Sequence, residues 1–195
     1  MQVSGVPCGS LSDTELVRRS IAAPDYFACL YERYEARLLR YIRRLTHADA
    51  QEAEDLLQEA FIRIWRHLQE VDPELQFSSW AYRIVHNQAV TWMRRQHAFG
   101  SARSPASRIP IDTQWPDEAG GGEAQDANEA GIRTVLDRLS VEHREVLVLK
   151  YLESMSYDEI SDVLKIPEGT VATRISRAKK AFSRAAEALH LTFTL

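Results

Sequence analysis

Apolar residues recur along this chain at three- and four-residue steps, the spacing that gathers side chains onto one buried face of an α-helix. Ser12 followed by Glu15 has the form of a capping box and opens a short helix that Pro24 stops. Asp25 then caps a second helix, in which Phe27, Leu30, Tyr31, Tyr34, Leu38, Tyr41, Ile42 and Leu45 share a face. A third helix is predicted from about Ala50 to Glu70, with Leu56, Leu57, Ala60, Phe61, Ile64, Trp65 and Leu68 inside. Glu52, Asp55, Gln58, Glu59 and Arg63 fall on its outer side. Asp72-Pro73 breaks the pattern, and a fourth helix follows from Ser79 to Gln96, with Ala81, Ile84, Val85 and part of Trp92 toward the core.

Residues 97–130 change character, with three prolines, a triple glycine and no sustained period. Folding them would bury too little apolar surface to offset chain entropy, so a flexible linker is expected, basic at first and acidic after Arg108. Periodicity resumes at Gly131: Ile132, Val135, Leu136 and Leu139 make one helix, and Val141 to Glu153 another, capped by Ser140. In SYDEISDVLKIPEGTVATRISRAKKAF, Ser156 and Glu159 form a capping box, Ile160, Val163 and Leu164 an apolar stripe, and KIPEGT a tight break before a last helix. Two short helices joined by such a turn make a helix-turn-helix. No strand signal interrupts this. The expected fold is all-α: two small helical domains joined by a flexible linker, the C-terminal one a helix-turn-helix. The boundaries are 1–24 for an N-terminal extension with a short helix, 25–96 for the first domain, 97–130 for the linker and 131–195 for the second domain.

The 195 residues, 45% of them hydrophobic, suffice for one sizeable core or two small ones. No run approaches a membrane span, so no membrane insertion is expected. The start MQVSGVPCGSLSD lacks the basic and apolar regions of a secretory signal, so export is not expected either. Cys8 and Cys29 form no CxxC pair and no His/Cys cluster, which argues against a zinc site or a disulfide framework and fits a reducing cytoplasm. Six scattered histidines, no glycine-rich phosphate loop and no nucleophile motif leave no catalytic residues, no metal and no cofactor to assign, so an enzyme is not expected. The net charge of −4 weighs against a protein that binds DNA strongly by itself.

Three surfaces carry candidate chemistry. In the last helix Val171, Ile175, Ala178 and Phe182 must point inward, which puts Thr173, Ser176, Arg177 and Lys180 outside with Arg174 and Lys179 beside them. Hydroxyls and cations in that arrangement suit base edges and phosphates in a major groove, although a solvated basic face would have the same composition. On the third helix Glu52, Asp55 and Glu59, with Gln58, form a polar ridge suited to a basic partner helix or simply to water. Between Glu74 and Asp112 there is no acid, yet five arginines and several aromatic rings. Trp80, Tyr82, Arg83, His86, Asn87, Arg94 and Arg95 cannot all lie on the stripe of Ala81, Ile84 and Val85, so an exposed surface of rings and arginines is expected there, suited to stacking on unpaired bases.

The order of these parts, with DAQEAEDLLQEAFIRIWRHL, then FSSWAYRIVHNQAVTWMRRQ, a loose linker and the helix-turn-helix block, resembles the extracytoplasmic-function (ECF) sigma factors of bacterial RNA polymerase from about Pro24 to Ala188. The resemblance implies a non-enzymatic alternative sigma factor whose partners are core RNA polymerase, promoter DNA as duplex and non-template single strand, and an anti-sigma factor. By it, Asp55, Gln58 and Glu59 are polar polymerase contacts, supported by Phe61 and Trp65. Phe77 and Ser78 flank a flipped base, Trp80, Tyr82, Arg83, His86 and Asn87 border the separated strands, and Arg94 and Arg95 touch phosphates at the minus-ten element. Thr170, Ala172, Thr173, Arg174, Ser176, Arg177, Lys179 and Lys180 face the minus-thirty-five element. Ala172, where many relatives carry arginine, together with Ser176, His86 and Thr91, leaves promoter preference open. Two rivals stand beside this reading: a helix-turn-helix regulator that needs no polymerase, and a helical scaffold that binds only proteins.

Overall fold

Capping chemistry starts the helices close to where the periodicity puts them. The computed structural model describes residues 2–3, 6–46, 48–71, 76–99 and 123–191, and the chain divides into two units, the first built mainly from its first hundred residues. In the first unit α1 spans Asp13–Ala22, and the Ser12 hydroxyl accepts from the Glu15 amide at 3.2 Å. The Glu15 carboxylate takes Arg18 and Arg19 instead of closing the box. Pro24–Tyr26 then forms a tight 3₁₀ turn with Asp25 inside it, so Asp25 does not cap the next helix. Helix α2, Phe27–Leu45, buries Cys29, Leu30, Tyr34, Leu38, Tyr41, Ile42 and Leu45, while Phe27 and Tyr31 stay half-buried.

Helix α3, Ala50–Arg66, opens on a reciprocal box in which Asp49 accepts from the Glu52 amide at 2.8 Å and Glu52 from the Asp49 amide at 2.9 Å. It stops four residues before the predicted end, and Leu68–Glu70 continues as a 3₁₀ turn. Helix α4 is longer than expected, Phe77–Phe99, and packs against α1, α2 and α3 together. Contact on three sides buries more than one stripe of it. At the N-terminus β1, Gln2–Val3, pairs antiparallel with β2, Val6–Pro7, in the register Gln2↔Pro7 and Val3↔Val6. Beside them Cys8 is joined to Cys29 by a disulfide with Cα atoms 5.5 Å apart, which corrects the expectation of two isolated thiols. The pairing arises because α1 folds back along α2 and so returns residue 8 to the start of that helix, a proximity that sequence spacing does not encode.

In the second unit α5, Glu123–Asp137, begins inside the stretch expected to be linker, because Ala, Glu and Gln in EAQDANEA are good helix formers. The rest of that predicted linker, residues 100–122, lies outside the described residues. Helix α6, Val141–Leu147, starts with Ser140 accepting through its backbone carbonyl rather than its hydroxyl, and widens into one π-helical stretch, Val148–Leu152. Arg144 of α6 is buried and caps the end of α5: its guanidinium donates to the carbonyls of Leu136 at 3.0 Å and Asp137 at 3.3 Å, in the last turn of that helix.

Helix α7, Tyr157–Leu164, carries the predicted box complete, with the Ser156 amide donating to Glu159 at 2.7 Å and the Glu159 amide to the Ser156 hydroxyl at 3.2 Å. Lys165 then takes a left-handed conformation (φ 55°) that stops the helix, and the Ser161 hydroxyl ties down the Ile166 carbonyl at 2.7 Å. Pro167 supplies the first acceptor of α8, Glu168–Ala188. Val171, Ile175 and Ala178 of α8 are buried, as are Val135, Val146, Leu149 and Ile160, and Phe182 only partly. Among the described residues no helix is long and apolar enough to cross a membrane.

Candidate nucleic-acid interface

Helix α8 displays its candidate residues as the periodicity requires. Thr173, Ser176, Arg177 and Lys180 are exposed at i, i+3, i+4 and i+7, one continuous stripe opposite the buried Val171 and Ile175. Lys179 is exposed and lies 5.9 Å from the exposed Tyr151 ring, while Thr170 and Ala172 are half-buried at the edge. The Thr173 hydroxyl donates back to the Gly169 carbonyl at 2.8 Å, which restrains its rotamer. Arg174 is partly withdrawn: its Nη1 lies 3.1 Å from Oε1 of Glu145 on α6. Glu145 is only 6% exposed, and burial pushes its carboxyl up to about 7 despite the opposing pull of Arg174. Periodicity gave no sign of this pair, since Glu145 and Arg174 each look like surface charges in the sequence.

The acidic ridge on α3 is also formed. Asp55, Gln58 and Glu59 are exposed along one side, and Glu52 is half-buried, occupied by its capping box. Gln51 donates to Asp55 at 3.1 Å. Glu59 receives the amide of Gln88 on α4 at 2.6 Å, so the ridge and α4 are directly joined. Gln88 is buried and its Oε1 has no partner, a cost that nothing in the sequence pattern signalled. Trp65, expected in the core, is 40% exposed, because Phe61 and Ile64 take the inward phase. Its ring packs edge-on against Phe27 at 5.0 Å, beside a groove floored by Phe27 and Tyr31 and rimmed by Asp25, Glu32 and Glu35.

On α4 the expected exposed rings are interior. Trp80 is 6% exposed, Tyr82 fully buried and His86 8% exposed, with Phe77 also buried. Tyr82 packs edge-on against Tyr41 at 5.2 Å, and Phe77 lies between Tyr34 and Trp80. The Tyr41 hydroxyl sits 2.9 Å from Nδ1 of His86, and burial lowers the imidazole to about 4, so His86 is neutral at neutral pH. What reaches solvent is the polar remainder: Asn87, Arg94 and Arg95 are exposed, and Ser78 and Arg83 half-buried. The expected mixed surface of rings and guanidiniums is therefore a cationic surface laid over an aromatic core.

The chain matches the Sigma-70 region 2 family over residues 30–99 and the Sigma-70 region 4 family over residues 130–182. It is 32% identical to the RNA polymerase sigma-H factor of Pseudomonas aeruginosa, a match covering 84% of this chain and 87% of that protein. It is 31% identical to the ECF RNA polymerase sigma factor SigW of Bacillus subtilis, covering 82% and 88%. In fold it resembles CnrH, solved in complex with the cytosolic domain of CnrY, at a TM-score of 0.67 and 24% identity over 90% of this chain and 97% of that one. The sigma factor RpoE of Bartonella quintana, solved with the anti-sigma factor NepR, gives the same TM-score at 21% identity over 83% and 96%. By both halves and by these relatives, the chain belongs to the ECF family of RNA polymerase sigma factors, transcription initiation factors rather than enzymes.

Proposed function

We propose that this sigma factor works in the cytoplasm, docks on core RNA polymerase through Asp55, Gln58 and Glu59 with Trp65 beside them, opens the minus-ten element on α4 and reads the minus-thirty-five element with α8. The observation that carries the reading is the exposed stripe Thr173, Ser176, Arg177 and Lys180, which has the groups and the period a helix needs in a major groove. Arg174 holds one edge of that face through Glu145, and Thr170, Ala172 and Lys179 complete it.

On α4 the reading assigns direct strand contact to Asn87, Arg94 and Arg95, whose exposure supports it, and to the half-buried Arg83 beside them. Ser78, at the start of the helix, borders the loop that would hold a flipped base. Phe77, Trp80, Tyr82 and His86 act from beneath, fixing the helix that carries these groups, since buried rings cannot stack on bases. The acidic ridge accounts for the net charge of −4: a factor whose affinity for DNA comes largely through polymerase needs no basic excess. An anti-sigma factor is proposed as the regulator, by analogy with RpoE and NepR.

The test is reconstitution. The parent chain should co-elute with core polymerase on gel filtration and direct RNA synthesis from a defined set of promoters, mapped genome-wide after overproduction. Asp55→Lys, at an exposed position, should weaken co-elution at least tenfold with an unchanged melting curve. A parent chain that neither co-elutes nor initiates overturns the reading, and an unaffected Asp55→Lys overturns the docking assignment.

A further inference from the structure

The N-terminal segment is fastened to α2 twice. Cys8, in the turn Cys8–Ser10, is bonded to Cys29 in the first turn of α2, and both are buried. One turn further along α2, Arg33 donates to the carbonyls of Cys8 at 2.8 Å and Leu11 at 2.9 Å and pairs with Asp13 at 2.5 Å. The Tyr34 hydroxyl also donates to Asp13. The polar clasp joins residues 8–13 to α2 through bonds that do not involve the sulfurs. Both cysteines precede the stretch matching Sigma-70 region 2, Cys29 by one residue.

In the cytoplasm, where the proposed function places this factor and on which this inference rests, disulfides are as a rule transient and redox-sensing rather than permanent staples. We propose that Cys8 and Cys29 are a reversible oxidation site, exchanged with a dithiol/disulfide couple of the thioredoxin class, that sets how firmly α1 is held on the first unit. In the reducing direction a thiolate of the dithiol attacks one sulfur of the bridge. The S–S bond breaks, the other cysteine leaves as a thiolate and takes a proton, and the second thiol of the dithiol resolves the mixed disulfide. Two electrons and two protons pass to Cys8 and Cys29, and the dithiol leaves as a disulfide. Gly9 and Ser10 are exposed, so opening of the terminal turn gives access at Cys8 first.

The loop closed by the bridge spans 21 residues of sequence separation and contains all of α1, which packs on α2 and α4. Closing a loop of that size restricts the unfolded chain enough to raise the melting temperature of a unit this large by roughly 10–20 °C. Reduction leaves the Arg33 clasp and the buried Leu16, so α1 loosens without the fold being lost.

The full chain is equilibrated in dithiothreitol at graded ratios of reduced to oxidised reagent, thiols are trapped with a maleimide, and mass is read intact. The expected result is a reversible two-electron transition, with species carrying no label or two labels. Oxidised protein should melt roughly 10–20 °C above reduced, and trypsin should cut at Arg18 and Arg19 several times faster in the reduced form. Cys8→Ser and Cys29→Ser should match the reduced parent whatever the ratio. A bridge that never forms, or one that resists dithiothreitol in the folded protein, overturns the proposal. So do oxidised and reduced parents with the same melting temperature and the same tryptic rate, a comparison that needs no variant to fold.

Discussion

His86 gives the sharpest test of the interior of α4. Its imidazole is lowered from 6.5 to about 4 by burial, and the side chain is almost wholly enclosed against Tyr41. Above pH 6.5 the ring is neutral in folded and unfolded chains and contributes nothing to pH dependence. Below it the unfolded chain takes up a proton that the folded chain refuses, so stability is lost as pH falls from 6.5 through 4. A difference of this size corresponds to about 3 kcal/mol in full, most of it already gone at pH 4.5. Imidazole resonances followed by NMR should show His86 titrating near 4. Urea unfolding of the parent and His86→Gln at pH 7.5 and 4.5 should give the parent an extra loss of about 2 kcal/mol, since the carboxylates common to both cancel. A His86 resonance that moves near 6.5, or equal pH dependence in the two proteins, would refute the buried neutral imidazole.

Three further predictions separate interior from surface roles. Glu145 is raised from 4.5 to about 7 by burial, so its ionisation opposes folding: its contribution falls as pH rises from 4.5 through 7, and urea titrations should find this slope flattened in Glu145→Gln. Tyr82→Ala, at a fully buried ring, should cost about 3–5 kcal/mol of stability by chemical denaturation. Arg94→Ala with Arg95→Ala should leave stability within about 0.5 kcal/mol yet reduce permanganate reactivity of promoter thymines several-fold, so thymine reactivity equal to the parent's would remove those arginines from the strand path.

The helices were legible because their signals are local. A capping box needs residues three apart, and a buried stripe needs only the helical period, so α2, α3, α7 and the phase of α8 follow from the chain itself. The Lys165 turn was legible for the same reason, as a break between two periodic segments. The errors came where a distant element decides. Asp25 has the chemistry of a cap but Pro24 before it draws both into a 3₁₀ turn. Cys8 and Cys29 meet only because α1 doubles back, and no count of residues between them predicts that.

The misplaced rings of α4 have a different cause. A helix that buried one stripe would leave the residues off the stripe of Ala81, Ile84 and Val85 exposed. Yet the first half of α4 is buried nearly all round, with Phe77, Ser79, Trp80, Ala81, Tyr82, Val85, His86 and Gln88 all covered, as in a helix enclosed by neighbours rather than lying on a surface. Ile84, placed at the centre of the supposed core stripe, is only half-buried. The polar residues that share this interior needed partners from other helices: His86 finds Tyr41 on α2, and Gln88 finds Glu59 on α3. Enclosure by three helices thus fixes both halves of the site at once. It sinks the rings, and it leaves Asn87, Thr91, Arg94, Arg95 and Gln96 facing water, the two arginines among them giving that surface its positive charge.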